Sequence, residues 1–362
     1  MRFIHFPKIG QFKDAIHSIR QRGAYVGRDV NGDIIYDSSI LMPKITFIGS
    51  VKMHGTNSAV SFHRMEGVRQ AQSRNKILSI ESDNNGFCRF TESIPEDVWD
   101  FLFNSLLSPL ITEPYLFGRV TVFGEWIGPG VQGGEIGIKY LPNKIFVVFG
   151  VYVGERDELE DKTPTGYFVP LCDIPSFNDE SYHLNDNRIY LITDLAPTFK
   201  IEVDCNYPEI SRNKLVELTM QVEAKCPVAN YFGIEGTGEG IVWCSITEGW
   251  MGPDFWFKTK GEKHSASKIK KIAEVDVTKV EGVIAFLEET LTEVRLNQAL
   301  EYLKEKEMPI DRSSTGEFVR WMINDVTTEE AIMMEASGLT VKEVGPKLGT
   351  AARQWFFNQL NK

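Results

Sequence analysis

Up to about residue 265, short apolar runs rich in Val, Ile, Phe, Tyr and Trp alternate with clusters of Gly, Pro, Asn and Asp. Runs of that length bounded by turn formers read as strands. They fall at Lys44–Val51, Val120–Trp126, Ile145–Val153, Arg188–Ile192, Gly240–Cys244 and Phe255–Lys258. A helix is expected among them at Lys214–Ala224. Beyond residue 265 helix formers take over. Thr278–Glu307 sets Val280, Val283, Ile284, Leu287, Leu291, Val294, Leu296, Leu300 and Leu303 near a helical period, which Pro309 stops. Phe318–Val326 and Ala351–Leu360 read as further amphipathic helices. The pattern therefore predicts an α+β unit over residues 1–264 and a smaller all-helical unit over 265–362.

Composition narrows the class without naming it. The 362 residues are 42% hydrophobic and 25% charged, with Gly 30 and Pro 16, as in ordinary globular chains. The net charge of −11 (39 − 50) excludes a uniformly basic nucleic-acid binder. Any polyanion would have to be met by a local basic site. Cys88, Cys172, Cys205, Cys226 and Cys244 are odd in number and contain no C-x-x-C pair, which fits reduced thiols and gives no zinc signature. No apolar run approaches the ~18–20 residues of a membrane span, and Met1–Pro7 lacks the apolar core of a secretory signal. A cytoplasmic protein without membrane contact is the expectation.

Several segments carry candidate chemistry. In Val51-Lys52-Met53-His54-Gly55-Thr56-Asn57, a strand ends on a lysine with a glycine just beyond it. Such a lysine can be a nucleophile or a phosphate ligand, although Lys-x-x-Gly also opens ordinary turns. Val120–Trp126 delivers Glu125 among aromatics before Gly128-Pro129-Gly130, where alternation puts it on the face opposite Gly124 and Trp126. It could serve a ligand or a structural ion pair. Phe149 lies in a run that is core by default, or else the wall of a base slot. Gly236–Gly240 is spaced G-x-G-x-G and precedes a strand rather than a helix, so it fails as a dinucleotide loop and reads as a turn delivering Glu239. Lys258 and Lys260 stand at period 2, with Lys263, Lys268, Lys270 and Lys271 continuing the basic stretch. No G-x-x-x-x-G-K-[ST] loop is present.

Taken in order, Lys52-x-His54-Gly55, Phe123-Gly124-Glu125, the strand with Phe149, Glu239-Gly240 and Lys258-x-Lys260 resemble the motifs of the covalent nucleotidyltransferase superfamily of ATP-dependent ligases and capping enzymes. Lys52–Asn57, with His54 where DNA ligases usually carry Asp, and Phe123–Gln132 are similar to the RNA ligase 2 family of phage-type and RNA-editing ligases. The resemblance covers roughly residues 44–263. The family's usual Val-x-Lys ending after Glu-Gly is replaced here by Ile241-Val242-Trp243-Cys244-Ser245.

This resemblance implies an adenylyltransferase domain with antiparallel sheets followed by a helical C-terminal domain. It implies ATP as AMP donor and Mg²⁺ (or Mn²⁺) as cofactor. Lys52 would accept AMP, pass it to an RNA 5′-phosphate, and allow a 3′-hydroxyl to displace it, at nicks in duplex RNA during RNA repair. The nucleotide site would comprise Val51, Lys52, His54, Gly55, Asn57, Arg74, Glu125, Phe149, Glu239, Lys258 and Lys260. Among them Glu125 would hold the ribose, Phe149 would stack on adenine, Glu239 would place the metal, and Lys258 and Lys260 would hold the AMP phosphate. His54 and Asn57 match family positions serving the nucleotide pocket or the later steps, and Arg74 matches one near the ribose and the RNA end. A monomer is expected, in the host cytoplasm if the source is viral. A DNA ligase or capping-type enzyme, a non-catalytic RNA-end binder keeping the fold, and a protein whose helical tail docks a partner stay open as alternatives.

Overall fold

The computed structural model describes residues 3–37, 39–63, 68–107, 117–132, 136–155, 166–169, 182–264 and 282–360. Cys172, Lys268, Lys270, Lys271 and the start of the expected helix at Thr278 lie outside the described residues. The chain opens with β1 (Gly10–Gln11), α1 (Phe12–Ala24), β2 (Tyr25–Arg28), β3 (Ile34–Tyr36), β4 (Lys44–Lys52), β5 (Thr56–His63) and β6 (Val68–Ser73). It continues through α2 (Phe87–Ser93), α3 (Glu96–Leu107), β7 (Phe117–Ile127), β8 (Ile145–Glu155), β9 (Gly166–Val169), α4 (Tyr182–Asp186), β10 (Ile189–Leu191), α5 (Ile192–Leu195) and β11 (Phe199–Asp204). Next come α6 (Arg212–Ala224), α7 (Pro227–Tyr231), β12 (Gly240–Ser245) and β13 (Phe257–Lys260). The helical tail holds α8 (Gly282–Thr290), α9 (Glu293–Glu305), α10 (Thr315–Glu329), α11 (Ala331–Ala336) and α12 (Val341–Leu360).

Two mainly antiparallel sheets and a separate two-stranded sheet of β2 and β3 make up the described strands of the α+β part; the two larger ones build the site. One runs β1-β13-β12-β4-β11 and the other β10-β8-β7-β5-β6, with β9 added on β8. Each of these two carries one short parallel pair, β1 with β13 and β10 with β8. Phe47, Val51, Trp243 and Phe257 from the first sheet and Val60, Val122, Trp126 and Phe146 from the second fall in one buried cluster with Phe12, Ile16 and Ile19 of α1. Each fully buried side chain of this size contributes about 1.5–3 kcal/mol. A second cluster, from Phe286 to Phe356, belongs to the tail alone, with Phe318 stacked on Trp355 and Phe356. Arg295 is fully buried there, donating to Thr290 O and paired with Asp325 and Glu330, so it ties the end of α8 to α10.

The strands expected at Lys44, Val120, Ile145 and Gly240 are β4, β7, β8 and β12, and the expected helix at Lys214 is α6. Three expectations shift. Pro253–Phe255 forms a 3₁₀ turn, so the last strand starts at Phe257. Ile192 opens α5, which shortens the strand expected at Arg188–Ile192 to β10. The single helix expected up to Glu307 is broken between α8 and α9, because the Thr292 hydroxyl caps a new helix by accepting from Arg295 N at 3.3 Å. α1 was not foreseen, although Phe12, Ala15, Ile16 and Ile19 carry a helical spacing and are all buried. No described helix is long and apolar enough to cross a membrane.

Candidate active site

Backbone register assembles the charged centre. Gly240 at the start of β12 pairs with Lys52 at the end of β4 on one side and with Lys260 of β13 on the other. Glu239, one residue earlier, therefore enters between two lysines. Its Oε2 accepts from Lys52 Nζ at 2.7 Å and its Oε1 from Lys260 Nζ at 2.8 Å. His54 Nδ1 lies 3.4 Å from the same Oε2. Gly240 has φ +153°, and a Cβ there would sit 2.0 Å from Thr259 O, so only glycine lets the strands close this tightly.

Electrostatics follow from that packing. Burial works to raise the pKa of Glu239, but Lys260, Lys52 and His54 outweigh it and hold the carboxyl well below its usual range. Burial opposes charge on Lys260 and on His54 too, yet Glu239 raises the pKa of both. Lys258 differs: burial lowers its pKa, with Lys260 and Lys52 adding to the fall and Glu329 opposing it. In β13 the alternation sends Phe257 and Thr259 into the core, which turns Lys258 and Lys260 to the cavity as the period-2 spacing required.

The second sheet supplies the other wall. Glu125 of β7 pairs with Asn57 of β5, and its Oε1 accepts from Gly55 N at 3.0 Å. Burial raises its pKa, Lys52 and the Gly55 N–H pulling the other way. Gly55 packs so closely that a Cβ would lie 2.4 Å from Trp126 O. Phe149 is freed by an irregularity: Phe123 pairs with Gly150 and Gly124 with Val148, which leaves Phe149 as the extra residue of a β-bulge. Its ring lies 5.2 Å from that of Phe6, edge to face, and Phe6 also neighbours Trp256 at 6.4 Å.

All eleven sequence-derived positions, Val51, Lys52, His54, Gly55, Asn57, Arg74, Glu125, Phe149, Glu239, Lys258 and Lys260, line one cavity of about 670 Å³. That volume suits a small-molecule ligand. Cys244 lines it as well. Two groups of lining residues were not anticipated. Phe6, Pro7, Lys8 and Ile9 arrive from the N-terminal segment, and Glu301, Glu305, Asp325 and Glu329 arrive from α9 and α10. Nothing local marks either set, since both reach the cavity through tertiary packing.

A divalent metal finds limited protein ligation. Among the described residues no group of three or more His, Cys, Asp or Glu could hold an ion. Glu239 offers one hard carboxylate beside Lys52, which fits Mg²⁺ held mostly by waters and substrate phosphates. Such an ion, when bound, would offset charge on the phosphate oxygens.

The protein-family model described as RNA ligase matches residues 45–260. No curated protein matches the sequence. Solved structures of Naegleria gruberi RNA ligase are similar: a variant with ATP and Mn (15% identity, TM-score 0.40, covering 72% of this chain and 57% of that one) and a form with PPi (14%, 0.40, 73% and 59%). The chain thus spans less than two-thirds of those ligases' length. The matched span contains every one of the eleven cavity positions and well over half of the 362 residues, and the chain belongs to the RNA ligase family.

Proposed function

We propose that this protein is an ATP-dependent RNA ligase that joins 3′-hydroxyl and 5′-phosphate RNA ends at nicks in duplex RNA. The observation that carries the reading is Lys52 at the end of a strand, held by Glu239 at 2.7 Å in a cavity with an aromatic wall and three further lysines, Lys8, Lys258 and Lys260. Lys52 Nζ attacks the α-phosphorus of ATP, forms the P–N bond and expels pyrophosphate. An ammonium cannot attack, so Lys52 must first give up a proton, and the Glu239 carboxylate at 2.7 Å is the acceptor in reach. The RNA 5′-phosphate then takes the AMP, and the 3′-hydroxyl displaces it as the phosphodiester forms.

The remaining residues position and neutralise. Phe149 presents a face for adenine and Glu125 a carboxylate for the ribose hydroxyls. Lys258 and Lys260 offset charge on the phosphate oxygens, where electrostatics dominate phosphoryl transfer. Mg²⁺ is the expected cofactor, with Glu239 its protein ligand. The division at residues 264/265, a monomeric state and a cytoplasmic setting belong to the same proposal. Incubation with α-labelled ATP and Mg²⁺ tests it: the wild type becomes covalently labelled and Lys52→Ala does not. Full labelling of Lys52→Ala would refute the nucleophile.

A further inference from the structure

The Glu329 carboxylate of α10 is received by three donors from the sheet unit. Lys258 Nζ lies 3.2 Å and Lys8 Nζ 3.4 Å from Oε1, and Gln11 Nε2 donates to Oε2 at 3.1 Å. These donors come from β13, the N-terminal segment and β1. β1 pairs with β13 so that Gln11 lies opposite Lys258, which fixes two of them side by side. Asp325, one turn earlier on α10, adds a second carboxylate 3.7 Å from Lys8. Two cations and an amide N–H converging on one anion from different segments form a cradle suited to a phosphate oxyanion. Here a carboxylate fills it.

The pattern repeats at the end of α9. Glu307 pairs with Lys76 at 2.8 Å and accepts from Ser82, while Thr56 donates to Glu305. Burial pushes Glu305 up to about 7, Arg74 opposing the rise. Where the tail lines the cavity, its described residues contribute five carboxylates, Glu301, Glu305, Glu317, Asp325 and Glu329, against one cation, Arg320. A triphosphate or an RNA strand brings several negative charges to the same place. Both sets of anions cannot share these donors.

We infer that the acidic face of α9 and α10 is a latch on a phosphate-receiving cradle formed by Lys8, Gln11 and Lys258, and that substrate phosphate must displace Glu329 to bind. The inference rests on the ligase reading and extends its phosphate-binding set to Lys8 and Gln11. The phosphate received belongs either to ATP or to RNA, and the two arms of the test distinguish them.

The test compares signs. If Lys8–Glu329 were only a structural pair, removing either partner would impair the protein alike. In a latch, Glu329→Gln releases the cradle and Lys8→Ala weakens it. Adenylylation is measured against ATP concentration, and RNA binding with adenylylated protein and a 5′-phosphorylated nicked duplex. Glu329→Gln is expected to lower the half-saturating ATP concentration or the RNA Kd several-fold, and Lys8→Ala to raise the same quantity by about tenfold, the equivalent of ~1.4 kcal/mol. A gain confined to ATP places the phosphate on the nucleotide, and one confined to RNA places it on the strand. Losses in both variants, or no change in either, overturn the latch. Binding of inorganic tripolyphosphate carries the same comparison without adenylyl transfer, so a wild type that forms no adduct defeats the ligase reading alone. Melting temperatures check that both variants fold.

Discussion

Glu239→Gln keeps the shape of the side chain and removes the charge that holds the centre together. The wild-type carboxylate is 3% exposed and binds Lys52 and Lys260, whose side chains are 23% and 17% exposed. Both lysines are less than one-third exposed, so solvent screens these pairs only in part. Breaking a buried pair by removing one partner costs about 3–5 kcal/mol. At ~2–4 °C per kcal/mol for chains of this order, the melting temperature should fall by roughly 6–20 °C. The pH dependence carries a sign. Glu239 is held well below its usual pKa, so its stabilisation is fully present above the unfolded value of ~4.3 and is lost as pH falls through the folded value. Scanning fluorimetry from pH 8 to pH 3 should show a gap between wild type and variant that holds down to about pH 5 and closes only in stronger acid. A gap under about 2 °C at pH 7, or one that opens toward acid, would refute the argument.

Other substitutions probe separate walls. Phe149→Ala should raise the KM for ATP by about tenfold or more in a labelling assay, since base–aromatic stacking is worth ~1–3 kcal/mol, whereas Phe149→Trp should retain affinity. Gly55→Ala would put a Cβ 2.4 Å from Trp126 O, so adenylylation should drop sharply, with about 1–3 kcal/mol lost in denaturant melts. Arg295→Ala leaves Asp325 and Glu330 without their buried cation, and calorimetry should show the tail losing about 3–5 kcal/mol.

The centre of the site could be read from the sequence because its parts sit at strand ends with local signatures. Lys52 closes an apolar run, Lys258 and Lys260 alternate with buried residues, and Gly55 and Gly240 mark close backbone approaches. Phe149 was ambiguous for a physical reason. Its neighbours Val147, Val148 and Val151 are all buried, and only the bulge opposite Phe123 and Gly124 turns its ring to the cavity. Thr292 is equally silent: the leucine pattern runs through it unbroken, yet its hydroxyl starts a new helix. Lys8, Gln11 and the carboxylates of α9 and α10 were illegible because their meaning lies in contacts across hundreds of residues, such as Gln11 to Glu329.

The most direct measurement follows one AMP group through the reaction. Protein loaded with ATP and Mg²⁺ is freed of nucleotide, weighed intact, and mixed with a 5′-phosphorylated nicked RNA duplex. An adduct of one AMP on Lys52 is expected, disappearing as sealed RNA accumulates in equal amount. A wild-type protein that carries no AMP on Lys52 before or after exposure to ATP, or an adduct that persists while no RNA is sealed, would contradict the ligase mechanism.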